Sequence, residues 1–577
     1  MKRFFLDFIQ ILIIVISICL QHMISFNNIE LYLFGLLIIV LYYYTKEYKY
    51  SKSTIFFSLL FSLFFTLGNI GDNDINTLRV LTMIISFFGF FFLTEKLLIF
   101  LTNIFENIHI QGKNKKVSSF KFILVSTVIG LLCFMPYFLR FFPGIMTPDS
   151  FNQMWQIEGL IPYSNNHPWI HTMLIKILYN LGYFITKSKN TGIAFYTFFQ
   201  MVFVSFSFSY TVYILYKNNI KQGFLLLAWA FFFLMPFNAI YSITIWKDII
   251  FSCSILLFSM FIWDQYYNNY NWSMRRKIIF CILSVIVCLF RSNGLIAYLV
   301  FLFVLFFCYR DSFKKIKYPV IISLVIVLIV KNIVMPLFKI SASEFVESIS
   351  IPAQQVAYVI KSDGDISKNE LREIKKIASI ERLKKDKYRA ISYNVSDSTK
   401  NNIRVNDKNH YLEKNKMKFL KIWIDIGVKN PDKYIQAYVK QTSGYWYYNY
   451  GKYWIYRDKM KPGHNINHFS IDFYQINLSP KIISYFIDNG LKATSFVYYK
   501  IWSPAMSFYV ILFSLYLSIY RKNNILPYVL SISVLLTLLV ATPVSCEFRY
   551  AYALFICFPP LFLISLCKLK QKKSLVK

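Results

Sequence analysis

The chain has 577 residues, of which 56% are hydrophobic and only 16% charged, with a mean hydropathy of +0.45. Soluble domains carry roughly 45–50% apolar and about 25% charged residues, so lipid is the main solvent and a disordered chain or small disulfide scaffold is excluded. Lys and Arg number 63 against 29 Asp and Glu, a net charge of +34, but these positives sit between apolar runs, as the positive-inside rule expects, and do not mark a nucleic-acid binder.

In chain order, Lys2 and Arg3 precede a long apolar run with no small-x-small cleavage site, which reads as an uncleaved first span. A span needs about 20 apolar residues. The candidate spans are 4–21, 30–45, 54–70, 79–103, 120–142, 191–216, 222–240, 248–264, 277–290, 294–309, 318–338, 497–520, 525–541 and 549–567. The expected fold is an all-α polytopic membrane protein of about 14 transmembrane helices with a mainly helical extracytoplasmic domain. Its expected parts are N-terminal helices (1–118), a transmembrane core (119–338), an outer domain (339–495), and C-terminal helices with a basic tail (496–577).

Short loops rich in Lys and Arg belong on the cytoplasmic side. These include Lys46/Lys49/Lys52, Lys113/Lys115/Lys116, Lys217/Lys221, Arg275/Arg276/Lys277, Arg310/Lys314/Lys315, Arg521/Lys522 and the tail from Lys568. The loops 22–29 and 71–78 carry neither residue and go outside. The alternation holds only if segment 169–186 does not cross but lies on the outer surface as an amphipathic interfacial helix. Both termini are then cytoplasmic. The nine cysteines avoid 339–495, so a domain there does not depend on disulfides.

Four motifs outside the apolar runs carry candidate chemistry. The first large outer loop, from Phe142, contains Asp149 in a Pro-Asp-Ser turn. Thr147 and Asp149 both suit the N-cap of a helix beginning near Ser150; the other reading makes Asp149 a general base for an attacking hydroxyl. His167-Pro168 and His171 follow, and two histidines on one helix face would permit a divalent metal, though no third ligand is near. Trp246-Lys247-Asp248 opens a span with a carboxylate that lipid anchoring does not explain. Arg291-Ser292-Asn293-Gly294 breaks two apolar runs on the outer side, either as a local cap or turn or, since Arg there opposes the positive-inside trend, as a phosphate binder. Glu547-Phe548-Arg549-Tyr550 does the same at the mouth of the last span, either as a local Glu–Arg pair or as a second phosphate contact. Trp446 and Tyr447, in an aromatic stretch running from Gly444 to Trp454, suit core packing or carbohydrate stacking. The topology puts these charges on one surface at headgroup depth, where ionisable groups are default functional candidates.

Taken together, the acidic residue in the first large outer loop, the following His-Pro, and the Trp-Lys-Asp, Arg-x-Asn-Gly and Glu-Phe-Arg-Tyr motifs resemble the GT-C superfamily of integral-membrane glycosyltransferases. The likeness is to an uncharacterised bacterial branch related to protein O-mannosyltransferases and lipid A aminoarabinose transferases. It covers roughly 120–340, with weaker likenesses at 350–360, 430–455 and the last spans. The resemblance implies a multi-pass protein of the bacterial cell membrane with its site on the extracytoplasmic face. It implies inverting transfer of a sugar from a polyprenyl-phosphate donor to a glycan, glycolipid or protein. Asp149 would be the base, with Asp248 as second carboxylate. Arg291, Arg549 and Lys247 would hold the donor phosphate, and His167, Glu547, Trp446 and Tyr447 would line the substrate site. The chain departs from the mannosyltransferase pattern in having Asp-Ser in place of an Asp-Glu pair. Its Asp-x-Asp pairs, Asp72/Asp74 and Asp363/Asp365, lie outside the first large loop. Two other readings remain: a transporter or flippase for a lipid-linked sugar, and a polysaccharide polymerase or ligase.

Overall fold

The computed structural model describes residues 2–22, 29–46, 51–70, 77–269, 271–384, 395–407, 409–448, 475–500, 503–545 and 547–568. Loops 22–29 and 71–78 with Asp72 and Asp74, the aromatic positions 449–454, Lys49 and the tail past Lys568 fall wholly or mostly outside these residues. The described chain is all-helical, with only isolated bridges in place of strands. The N-terminal helices are α1 (Lys2–His22), α2 (Ile29–Thr45), α3 (Lys52–Gly68) and α4 (Thr77–Glu106). There follow α5 (Ser119–Arg140), α6 (Pro148–Ile157), α7 (Trp169–Thr186), α8 (Lys189–Lys217), α9 (Gln222–Leu234), α10 (Pro236–Ile243), α11 (Lys247–Tyr267), α12 (Met274–Leu289), α13 (Gly294–Cys308) and α14 (Arg310–Ile329). Helix α14 runs on through a π turn into α15 (Met335–Leu337), and a polar region then holds α16 (Phe345–Ser348), α17 (Ser350–Lys361), α18 (Lys368–Lys375), α19 (Ile380–Lys384), α20 (Asp397–Asn406), α21 (Tyr411–Lys414), α22 (Lys416–Lys429) and α23 (Pro431–Thr442). The chain closes with α24 (Lys481–Lys500), α25 (Pro504–Tyr520), α26 (Leu526–Ala541) and α27 (Phe548–Ser565).

Among the described residues six helical segments are long and apolar enough to cross a membrane: α4, α5, α8, α11, α27 and the continuous run Arg310–Leu337. The pair α9–α10 makes a seventh if it counts as one bent span. A further six apolar helices run 10–17 residues. This is the build of a multi-pass helical membrane protein. The apolar runs of the sequence fall on helices, with two interruptions. The run 222–240 bends by 47° between α9 and α10, where Pro236 takes the first helical position and its ring rules out continuing the ladder from α9. The run 497–520 is split before Pro504, the first residue of α25, whose turn is capped by the Ser503 hydroxyl accepting from Met506 N–H.

The central element is α11, buried without interruption from Asp248 to Gln265. It packs against α8, α12, α26 and α27. The basic loops gather at one end of this bundle. There Lys217 and Arg276 both pair with buried Asp264, at 2.9 and 3.1 Å. Asn114 donates to the carbonyls of Tyr216 and Ile220, and Arg521 to those of Phe105 and Ser565. The motifs singled out above gather at the other end.

Both ends of α7 lie at that second end. His171 near its start meets Gln153 of α6, and Lys189, just past its end, lies 3.8 Å from Glu158. Helix α8 then runs from Lys189 to Lys217, which reaches the basic end. Segment 169–186 therefore turns back without crossing the bundle. Its buried face is His171, Thr172, Ile175, Tyr179 and Gly182. The opposite face exposes Ile177, Leu181, Phe184 and Ile185, an apolar stripe at helical spacing that suits a helix lying in an interface.

The helices α16–α23 surround a core of their own, including Val356, Val359, Ile374, Ile403 and Phe419. This unit is bonded to the bundle at two places. Glu344 N–H donates to Asn166 Oδ1 and Ser343 Oγ to the Asn165 carbonyl. Ser396 N–H donates to the Pro543 carbonyl at 2.7 Å, and Tyr445 OH to that of Val544. Helix α24 packs instead on α5 and α10, with Arg140 and Asp488 paired at 3.1 Å.

Candidate functional site

The first large loop is clamped to the start of α11. Ile145 N–H donates to the Ile243 carbonyl at 2.9 Å, and Ile245 N–H returns a bond to Ile145 at 3.0 Å. The approach is close: Gly144 has φ +141°, and a Cβ there would stand 2.5 Å from Thr197 Oγ1. Only glycine meets both conditions without strain. Trp246 Nε1 donates to Thr147 Oγ1 and Ser150 Oγ donates to the Ile245 carbonyl, each at 2.7 Å. Thr147 stands at the N-cap, so α6 begins at Pro148, two residues earlier than the sequence suggests. Asp149 is thus inside the first turn and does not cap it. Its side chain points across to α27.

Arg549 donates from Nη1 to Asp149 Oδ2 at 2.7 Å and from Nε to Glu547 Oε2 at 3.0 Å. Its guanidinium lies over the Trp246 ring at 5.1 Å and the Tyr550 ring at 4.9 Å. Lys247 Nζ is 3.7 Å from the same Asp149 oxygen and donates to His167 Nδ1 at 3.1 Å. His167 Nδ1 is 3.9 Å from that oxygen as well. Every one of these contacts falls on Oδ2. Asp149 is 26% exposed.

A second ion pair lies beneath the first. Asp248 is wholly buried, and Arg291 Nη1 is 2.9 Å from its Oδ1. That contact lacks hydrogen-bond alignment, and neither carboxylate oxygen has a hydrogen bond among the described residues. Arg291 also lies 4.7 Å over the Tyr550 ring, so this one tyrosine separates the two guanidiniums. The Arg-x-Asn-Gly turn is set by Gly294, where a Cβ would strike the Val287 carbonyl at 1.9 Å, and by Asn293 donating to Thr537 Oγ1 at 2.6 Å.

The electrostatics follow from this packing. Burial opposes charge on Asp149, but Arg549 and Lys247 hold its carboxyl far below the usual carboxylate range. Burial, then Lys247, pushes His167 down to about 4, so it is neutral at pH 7 and accepts from the Lys247 ammonium. Burial raises Glu547, and the neighbouring Asp149 and Asp248 add to that, while Arg549 opposes it. His171 is pushed down to about 3, chiefly by burial. Its Nδ1 meets Gln153 and its Nε2 meets Tyr196 OH at 2.7 Å.

Asp149, His167, Lys247, Asp248, Arg291, Glu547 and Arg549, scattered through some 400 positions, are therefore gathered in one cluster. Trp446 and Tyr447 lie apart from it. Trp446 is buried, lies tilted against Phe64 with ring centroids 5.5 Å apart, and donates to Thr442 Oγ1. Tyr447 OH bonds Asn69 Oδ1. Both rings pack between α3 and α25, Trp446 buried and Tyr447 half-buried. His167 and His171 do not share a helix face, since α7 starts at Trp169, and both His171 nitrogens are taken. Among the described residues no group of three His, Cys, Asp or Glu side chains could hold a metal ion.

Tyr550 and Trp246, which sandwich Arg549, were signalled only by adjacency to the charged motif residues. Glu347 had no signal at all. It comes from α16 and acts on His167 through its charge, while it is itself bound to Lys400 at 2.8 Å.

No curated protein and no solved structure matches the chain. One family match spans residues 161–576. It begins after Asp149 and takes in every other charged member of the cluster. By that match the chain belongs to DUF6020, a family of unknown function.

Proposed function

We propose that the protein is an inverting membrane glycosyltransferase of GT-C type, with about 14 spans. It moves a sugar from a polyprenyl-phosphate donor to a glycan, glycolipid or protein at the extracytoplasmic face. The observation that carries this reading is the convergence of three carboxylates and three cations at one end of an apolar helical bundle. Charges at lipid headgroup depth suit an anionic, lipid-linked substrate. Asp149 accepts the proton of the attacking hydroxyl. Lys247, Arg291 and Arg549 stabilise the leaving phosphate as a preorganised clamp. The bend between α9 and α10 is the kind of helix break that secondary transporters also use. The charges gather at one end and not at mid-bundle, which favours the enzyme.

The test is transfer in vitro from a panel of polyprenyl-phosphate sugars, comparing wild type with Asp149→Asn. Loss of a general base costs about 10²–10⁴-fold in turnover. Asn keeps the shape of the side chain, so folding should be retained. Wild-type turnover in Asp149→Asn would remove the base from the reaction. Movement of the lipid from one leaflet to the other without sugar transfer would favour a flippase.

A further inference from the structure

Arg549 and Lys247 form a cradle for one oxyanion, and in this structure that oxyanion is the protein's own. Asp149 Oδ2 receives the Arg549 Nη1 bond at 2.7 Å and has Lys247 Nζ at 3.7 Å. A carboxylate bound this way is a poor base, because accepting a proton means surrendering a charge-assisted bond. The cation that Asp149 holds is also the one a donor phosphate needs. The rest of the guanidinium does not have to move: its Nε remains on Glu547 and its faces remain between Trp246 and Tyr550. Only the Nη1 edge, the one pointing to the partly open Asp149, is available for exchange.

We infer that Asp149 occupies the phosphate subsite in the resting protein, and that a phosphate-bearing ligand displaces its carboxylate from Arg549 and Lys247. This rests on the phosphate-donor reading above and adds an order to it. The donor binds first, and its phosphate frees Asp149 to act on an acceptor. Until then the base is held shut. Glu547 becomes a positioning residue: it holds Arg549 at Nε while the opposite edge changes partner.

The inference reverses the usual sign of a charge-removing substitution. Taking away Asp149 removes a competitor, so anion binding should strengthen while transfer is lost. The measurement is binding of a polyprenyl phosphate to full-length protein in nanodiscs. Polyprenol, inorganic phosphate and nanodiscs containing an anionic phospholipid serve as separate arms. Asp149→Asn and Asp149→Ala should each bind the polyprenyl phosphate about tenfold more tightly than wild type, equivalent to ~1.4 kcal/mol. Glu547→Gln should weaken binding in the wild-type and Asp149→Asn backgrounds alike. Equal or weaker binding in both Asp149 variants would overturn the exchange while leaving a phosphate-lipid site in place. No binding to wild type or to either variant would overturn the donor reading itself. Tightening towards inorganic phosphate alone would mean the cradle serves a free anion. Should both variants fail to fold, the wild-type infrared difference spectrum with carbon-labelled Asp decides the matter. Addition of polyprenyl phosphate should shift a carboxylate stretch, and an unchanged spectrum would overturn the exchange.

Discussion

Asp248→Asn tests how the buried half of the site is held. Asp248 has no exposed surface, and Arg291 stands 2.9 Å away. At that distance and an effective dielectric near 20, the gross attraction is about 6 kcal/mol. Desolvation of both ions offsets part of it, and losing one partner of such a pair typically costs about 3–5 kcal/mol because the other charge is stranded. Arg291 has limited alternatives, since the Tyr550 and Phe251 rings cover it at 4.7 and 5.8 Å. Unfolding free energy, read by titration with a denaturing detergent, should fall by about 3 kcal/mol or more in Asp248→Asn and by a similar amount in Arg291→Gln. The double variant should lose much less than the sum, with a coupling of about 2 kcal/mol or more. Additive losses would refute the pairing.

Three further outcomes follow from the same geometry. Asp264→Asn, at the basic end, strands Lys217 and Arg276 and should cost about 3–5 kcal/mol; polyprenyl-phosphate binding, measured in nanodiscs, should stay at the wild-type level. Stability should fall as pH drops from about 6.5 towards 4, because His167 and His171 stay neutral in the fold down to about 4 and 3 while the unfolded chain binds protons near 6.5; His171→Gln should flatten that slope, whereas Asp149, held ionised, contributes stability that is lost only below the normal carboxylate range. Reporter fusions at Asn165 and Lys189, which flank α7, should read the same side of the membrane, and opposite sides would mean that α7 crosses.

The helices were legible because lipid-facing and core positions are both apolar, so span-length runs need no further context. The break at Pro236 was not read, since apolar composition continues across it and only the ring's lost donor stops the helix. The same blindness applied to Asp149: an Asn or Asp before a helix suits capping, and nothing local says that Arg549 claims its carboxylate. The cluster itself was readable as a set of misfit charges, because Asp248, Arg291 and Arg549 each violate a membrane preference. Their pairing was not, as it depends on how α11, α12 and α27 meet. Trp446 and Tyr447 show the opposite limit. An aromatic stretch signals both packing and sugar stacking, and that Trp446 packs against Phe64 depends on how α3 meets it. Glu347 lay beyond any local reading, since its effect on His167 requires α16 to dock against the Asn165–Asn166 turn.

The charge balance of the cluster gives the proposed reaction a physical rationale. Three acidic groups, Asp149, Asp248 and Glu547, stand beside three basic ones, Lys247, Arg291 and Arg549, so no large excess of either sign is buried at the apolar bundle end. A sugar phosphodiester brings one negative charge. When the hydroxyl attacks the anomeric carbon, the bond from that carbon to the phosphate oxygen breaks and its electron pair leaves with the phosphate. The released monoester carries one more negative charge than the donor did. The proton from the hydroxyl goes to Asp149, which becomes neutral. The gain on phosphate and the loss on Asp149 cancel, so the site carries the same net charge before and after transfer. Arg549, freed from Asp149, then faces the oxygen on which the new charge appears, at the moment when Asp149 no longer competes for it.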